Sequence, residues 1–135
     1  MIHSGAIDLY SETGVTTLDV ITGTNGDDTL VGTAGDDSIS GLKGDDSISA
    51  GDGNDLVDGG KDSDVLDGGM GNDTLWGGVH EDTLIGGDGD DLIYGGTPTK
   101  PSGGDFIDGG EGSDTIFCDA ASTVVGGAGD DVIHG

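Results

Sequence analysis

Arginine is absent from this 135-residue chain, and lysine occurs only at Lys43, Lys61 and Lys100. Against them stand 28 acidic residues, which leaves a formal net charge of −25. A chain of that sign repels phosphate backbones and anionic lipid, so nucleic acid is not an expected partner. No run of about 18 apolar residues is present, so no membrane insertion is expected. With Cys118 as the one cysteine, no intramolecular disulfide can form. The two prolines, Pro98 and Pro101, lie together, and Trp76, Tyr94, Phe106 and Phe117 are few and scattered. They argue no aromatic stripe of the kind a sugar-binding module carries. The start, MIHSGAIDLY, lacks the basic and apolar regions of a secretory signal.

Glycine and aspartate are what the chain has in quantity: 31 glycines, and aspartate nearly everywhere that an acid stands. By composition alone, with 31% apolar residues, this reads as a disordered acidic linker. The order of the residues says otherwise. From Gly23 the chain divides into nine-residue units: GTNGDDTLV, GTAGDDSIS, GLKGDDSIS, AGDGNDLVD, GGKDSDVLD, GGMGNDTLW, GGVHEDTLI and GGDGDDLIY. A ninth unit, 95–108, is interrupted by TPTKPS at 97–102. GGEGSDTIF, a degenerate piece at 118–125, and GGAGDDVIH complete twelve. The common form is G-G-x-G-x-D-x-U-x, with U a large aliphatic residue.

In each unit G-G-x-G-x-D reads as a turn, and x-U-x as a brief strand whose U points inward while its neighbours point outward. The inward series is Leu30, Ile39, Ile48, Val57, Leu66, Leu75, Leu84, Ile93, Ile107, Ile116, Val124 and Ile133. Nine residues make half a coil, two units make a coil of eighteen, and six coils at the strand spacing would form a roll ~29 Å long. The expectation is an all-β protein with no helix. Residues 1–22 stand outside the repeat. Val15 to Thr22 is β-branched and reads as one or two strands that cap the roll, whose repeats occupy 23–135.

In such a roll the turns of units i and i+2 share an edge, and each brings its sixth-position aspartate there. Two carboxylates roughly 5 Å apart repel by ~0.8 kcal/mol even at water's dielectric. A ladder of them needs cations between its rungs. Carboxylate and carbonyl oxygens in a flexible cage of about six to eight select Ca²⁺ over zinc, copper or Mg²⁺. The core is also too thin to offset the entropy of ordering the chain, so without metal it should be unfolded or nearly so.

Eleven sixth-position aspartates in register carry a resemblance: Asp28, Asp37, Asp46, Asp55, Asp64, Asp73, Asp82, Asp91, Asp105, Asp114 and Asp131. On them the chain resembles the RTX (haemolysin-type calcium-binding) repeat proteins, whose nonapeptide is a known sequence signature. The resemblance implies a right-handed parallel β-roll, with each Ca²⁺ held between two turns of one edge. One turn would offer the carbonyls of positions 2 and 4 plus its Asp. The turn two units on would offer those of positions 1 and 3 plus its Asp. On the edge of even-numbered units the first set pairs Thr33 with Gly35, Gly51 with Gly53, Gly69 with Gly71, Gly87 with Gly89, and Gly110 with Gly112. The second set there includes Gly68 with Met70, Gly86 with Asp88, Gly109 with Glu111, and Gly126 with Ala128. The odd edge offers Thr24, Gly26 and Gly44, then deteriorates: position 4 becomes Asp62 and His80, and the eleventh unit lacks a sixth-position Asp. About five Ca²⁺ are expected on the even edge and two to four on the odd, weakest near His80 and the insertion.

Several features carry blander readings. Asp27, Asp36, Asp45, Asp90 and Asp130 at position 5 are expected to be solvated, and Asp58, Asp67 and Asp108 likewise. His80-Glu81 begins like the zinc-protease motif H-E-x-x-H, but Leu84 stands where the second histidine should be. His3 and His134 read as surface residues, Cys118 as a small buried or half-buried thiol. No nucleotide-binding glycine motif or EF-hand loop is completed. The reading is a non-enzymatic calcium-binding module of a secreted bacterial protein, folding on extracellular Ca²⁺ after type I secretion. The alternative is a self-assembling structural protein that stacks rolls end to end in a calcium-dependent way, and the expected partners besides calcium are a second roll or a larger parent chain.

Overall fold

A computed structural model describes residues 7–8 (backbone only), 18–96 and 103–135. Among them there is no helix. The strands are β1 (Ile7–Asp8), β2 (Asp19–Thr22), β3 (Thr29–Val31), β4 (Asp37–Ser40), β5 (Ser47–Asp52), β6 (Leu56–Lys61) and β7 (Val65–Met70). They continue as β8 (Thr74–Val79), β9 (Thr83–Asp88), β10 (Leu92–Gly96), β11 (Phe106–Glu111), β12 (Thr115–Phe117), β13 (Thr123–Ala128) and β14 (Val132–His134). Even units supply one sheet, in the order β1-β2-β4-β6-β8-β10-β12-β14; odd units supply the other, β3-β5-β7-β9-β11-β13. Each coil therefore contributes one strand to each sheet, and the chain is a parallel β-roll of about six turns. β1 is the exception, pairing antiparallel with β2. The insertion and Val15–Thr17 lie outside the described residues.

Register follows the repeat. Ile21, Ile39, Val57, Leu75, Ile93, Ile116 and Ile133 stack in one column. Leu30, Ile48, Leu66, Leu84, Ile107 and Val124 stack in the other. Ten of the twelve expected core positions are fully buried, and Ile21 joins them. Val124 and Ile133 depart from the expectation: Val124 is only half-buried, and Ile133 is 48% exposed. Both belong to the last coil, where no further coil stacks on the column.

The turn is also shorter than expected. Mid-roll strands run six residues and carry into the G-G-x of the next unit, as in Leu56–Lys61, so the reversal is left to positions 4 to 6. The reason lies at position 1, which faces inward and is packed tight. A β-carbon on Gly68 would lie 2.6 Å from the Gly86 carbonyl oxygen, and closer still to Asp73 Oδ2. At Gly68 the sixth-position carboxylate folds back over position 1 and leaves no room for a β-carbon, whereas Ala50 holds the same position in the fourth unit with its β-carbon fully buried. The aromatic residues are a further departure. Trp76, Tyr94, Phe117 and His134 occupy one outward column and stack successively, with ring centroids 5.8, 4.9 and 4.6 Å apart. Their spacing of one coil hid this in the linear sequence; Phe106 alone of the four expected strays lies on the other sheet.

Candidate metal centre

The sixth-position aspartates begin or immediately precede the strands and face inward, where each main-chain N–H needs an acceptor. The aspartate one coil on supplies it. On the even edge the N–H of Asp37, Asp55, Asp73, Asp91 and Asp114 donates to Oδ1 of Asp55, Asp73, Asp91, Asp114 and Asp131, at 2.7 to 3.0 Å. On the odd edge the same rail joins Asp28, Asp46, Asp64, Asp82 and Asp105, at 2.8 to 3.0 Å. It passes His80 and the insertion without a break. It ends at Ser122, whose hydroxyl accepts the Asp105 N–H at 3.2 Å and is itself held by Asp119. Ser122 is the residue standing at the sixth position of the degenerate unit.

One carboxylate oxygen of each rung is thereby committed, and the other is not. Oδ2 of Asp46, Asp55, Asp64, Asp73, Asp82, Asp91 and Asp114 is buried with no hydrogen-bond partner. Seven such anionic atoms are a large cost unless something positive sits on them. The first two turns show the contrast. There position 2 is threonine, and the N–H groups of Thr24 and Thr33 donate to Oδ2 of Asp28 and Asp37 at 2.5 and 2.6 Å. Their hydroxyls add second bonds at 2.9 and 3.1 Å.

The donor set fits a hard cation. Among the described residues no three His, Cys, Asp or Glu side chains converge as a metal cluster. An ion between rungs would therefore take two carboxylates and complete its shell with carbonyl oxygens, which suits Ca²⁺ and not zinc. Carbonyls are in place. That of Gly53 points straight at the Gly71 Cα: a β-carbon there would lie 2.6 Å from the Gly53 carbonyl carbon, and closer still to its oxygen. Those of Met70, Asp88, Glu111 and Ala128 face back and accept the N–H of Gly53, Gly71, Gly89 and Gly112 at 2.7 to 2.8 Å, each keeping a second lone pair.

Gly35, the first position-4 glycine of the even edge, departs from that pattern. Its N–H donates to the Thr33 hydroxyl at 3.2 Å, where the later glycines donate to a carbonyl of the next coil. The cause is the threonine at position 2, whose hydroxyl reaches back into its own turn. Only the carbonyl of Gly35 keeps the expected place, 2.7 Å from where a β-carbon on Gly53 would lie. The expected first ligand set of the even edge, Thr33 with Gly35, thus lies in a turn already closed by internal hydrogen bonds, as does Thr24 with Gly26 on the odd edge.

The two edges differ as well. On the odd edge, Gly44 N–H donates to Asp62 Oδ2 at 3.3 Å rather than to a facing carbonyl. Asp62 and His80 hold the left-handed conformation that glycine takes elsewhere, at φ of 75° and 88°, and pair at 3.9 Å. The left-handed region costs a residue with a β-carbon roughly 1–2 kcal/mol. Leu84, in the place of a second zinc-ligating histidine, is fully buried core.

A second rail went unnoticed in the sequence. Position-5 side chains are exposed as expected, yet they accept the N–H of position 5 one coil on: Asp36 from Asn54, Asn54 from Asn72, Asn72 from Asp90 and Asp90 from Ser113, at 2.8 to 2.9 Å. Asp27, Asp45 and Ser63 repeat it on the odd edge. Asp, Asn or Ser at position 5 of most units was the available signal, with Glu81 and Gly104 as exceptions.

Burial, foremost, and the neighbouring charges of the rail push the carboxyls of Asp64, Asp82 and Asp91 up to about 7, and that of Asp55 to about 6. The unfolded value is near 3.9. A folded pKa raised in this way favours the protonated roll. Its contribution is fully present below about pH 4 and is lost as pH rises through about 7. In calcium-free buffer the chain should gain β-structure as pH falls from about 7 to about 4, read by far-UV circular dichroism. A flat profile over that range would contradict the buried rails.

The family model of the RTX calcium-binding nonapeptide repeat (four copies) matches residues 22–57, 49–79, 76–97, 102–117 and 119–135. The chain belongs to the RTX calcium-binding repeat family. Its β-roll is the calcium-binding module that these repeats build, and its rungs carry the orphaned Oδ2 atoms. No curated protein matches the chain.

Proposed function

We propose that this RTX module folds on binding Ca²⁺ outside the cell, with the sixth-position aspartates and the turn carbonyls as ligands. The observation that carries the reading is the row of buried, unpartnered Oδ2 atoms along both edges. A chain that stays open in calcium-poor cytosol suits export through a narrow channel, and millimolar calcium outside would close it. On this reading the ligands run through the whole set from Asp28 to Asp131, with about five ions on the even edge and two to four on the odd. The even edge fills first, because its turns keep glycine at position 4. Residues 1–22 act as the cap, through β2 against β4.

Native mass spectrometry across a calcium titration, with NMR assigning the rungs, tests this. Seven to nine ions are expected, with Asp55, Asp73 and Asp91 perturbed at lower calcium than Asp64 and Asp82. Two ions or fewer, or an odd edge that fills first, would overturn it.

A further inference from the structure

We propose that the outer face of the eight-stranded sheet carries a binding groove for a neutral polysaccharide, one sugar ring stacking on the free face of Trp76. The register places Thr22, Ser40, Asp58, Trp76, Tyr94, Phe117 and His134 in one outward column. Tyr94 and Phe117 have rings on both faces; Trp76 has only Tyr94, at 5.8 Å and 9° from parallel. On its other side the column drops to Asp58 and Ser40, and the place of the next ring is a groove of about 670 Å³. That volume is in the range of sites that hold a small organic ligand.

The lining specifies the occupant. Gly60, Gly78 and Gly96 make a side-chain-free floor beside the aromatic column, so a flat chain can lie against the backbone. Ser38, Ser40, Asp58 and Lys61 line the groove with Trp76 and supply donors and acceptors, beside the apolar Leu42, Leu56 and Val79. An apolar ring face rimmed by hydrogen-bonding groups matches a pyranose, which presents C–H groups on its face and hydroxyls at its edge. The groove crosses β4, β6, β8 and β10, three strand spacings or about 14 Å, which calls for several linked rings rather than one. Charge narrows the class further. Seven to nine bound Ca²⁺ still leave the chain of net charge −25 negative overall, which disfavours polyanionic glycans.

Trp76 is the only tryptophan, so its emission reports this groove alone. The test titrates the calcium-loaded full chain with a soluble β-glucan, a galactomannan and an arabinoxylan, with alginate as the acidic counterpart. One neutral polymer should quench or blue-shift the emission. In affinity electrophoresis Trp76→Ala should weaken binding about tenfold or more, and Asp58→Ala less. Phe106→Ala, on the opposite sheet, should leave binding unchanged. Circular dichroism in calcium establishes that each variant is folded, so a failure of calcium-dependent folding is seen separately. Silence with every neutral polymer, undiminished binding by folded Trp76→Ala, or tighter binding of alginate would overturn the proposal.

Discussion

In excess EGTA at about pH 7.5 the chain should lose its β-sheet spectrum, expand and expose Trp76 to water, and calcium should restore all three. The roll holds its interior with single columns of aliphatic side chains, ten of the repeat positions being fully buried. That core has to order a glycine-rich backbone whose unfolded entropy is large. Both rails hold carboxyls that burial pushes up to about 6 or 7, those of Asp55, Asp64, Asp82 and Asp91, and above pH 7 folding has to bury these in the charged form. Calcium reverses the sign of this contribution. Each ion present at a hundredfold its dissociation constant adds about 2.7 kcal/mol, and the ions add along the rail. On globular and unfolded scaling, the radius of gyration should rise from about 14 Å toward about 38 Å on chelation. A β-sheet spectrum that persists in EGTA would remove calcium from its proposed place in folding.

Gly71→Ala should destabilise the calcium-loaded roll by about 3 kcal/mol or more, while Gly26→Ala should stay within about 0.5 kcal/mol. Both are position-4 glycines of the same motif. Gly71 sits at φ 124°, and a β-carbon there would run into the Gly53 carbonyl oxygen, one of the candidate ligand atoms. Alanine must push the coils apart where an ion would sit, so at least one ion should be lost as well. At Gly26 a β-carbon meets nothing within 4 Å. Thermal unfolding in saturating calcium, with ion counting, measures both. Equal effects of the two substitutions would show that the coil-to-coil approach is not what fixes this glycine.

The coil, the two sheets, the inward aliphatic series and the aspartate rails were legible in the sequence because each has a period the chain repeats. What lay hidden depends on contact between coils or on a break in the consensus. Ser122 closing the odd rail and the stack from Trp76 to His134 join residues about one coil apart. Thr24 and Thr33, bonding the first two carboxylates, and Gly35, turned toward the Thr33 hydroxyl, are local departures from the common unit. Position 1 was legible as glycine but not for the right cause, since a turn and a crowded interior favour the same residue. Asp62 and His80 looked like defects; they keep the turn at the expense of strain, and the rail of Asp64 and Asp82 passes them intact.

Thr24 and Thr33 give the roll a direction. They satisfy at the first two turns, by hydrogen bonds, the oxygens that further along have no protein partner. The N-terminal coil is therefore expected to close first, without an ion, and to serve as a seed to which each later coil adds as on a growing zipper. Hydrogen exchange at subsaturating calcium should protect the amides around Leu30 and Ile39 before those around Ile93 and Ile116. The reverse order would place the seed elsewhere.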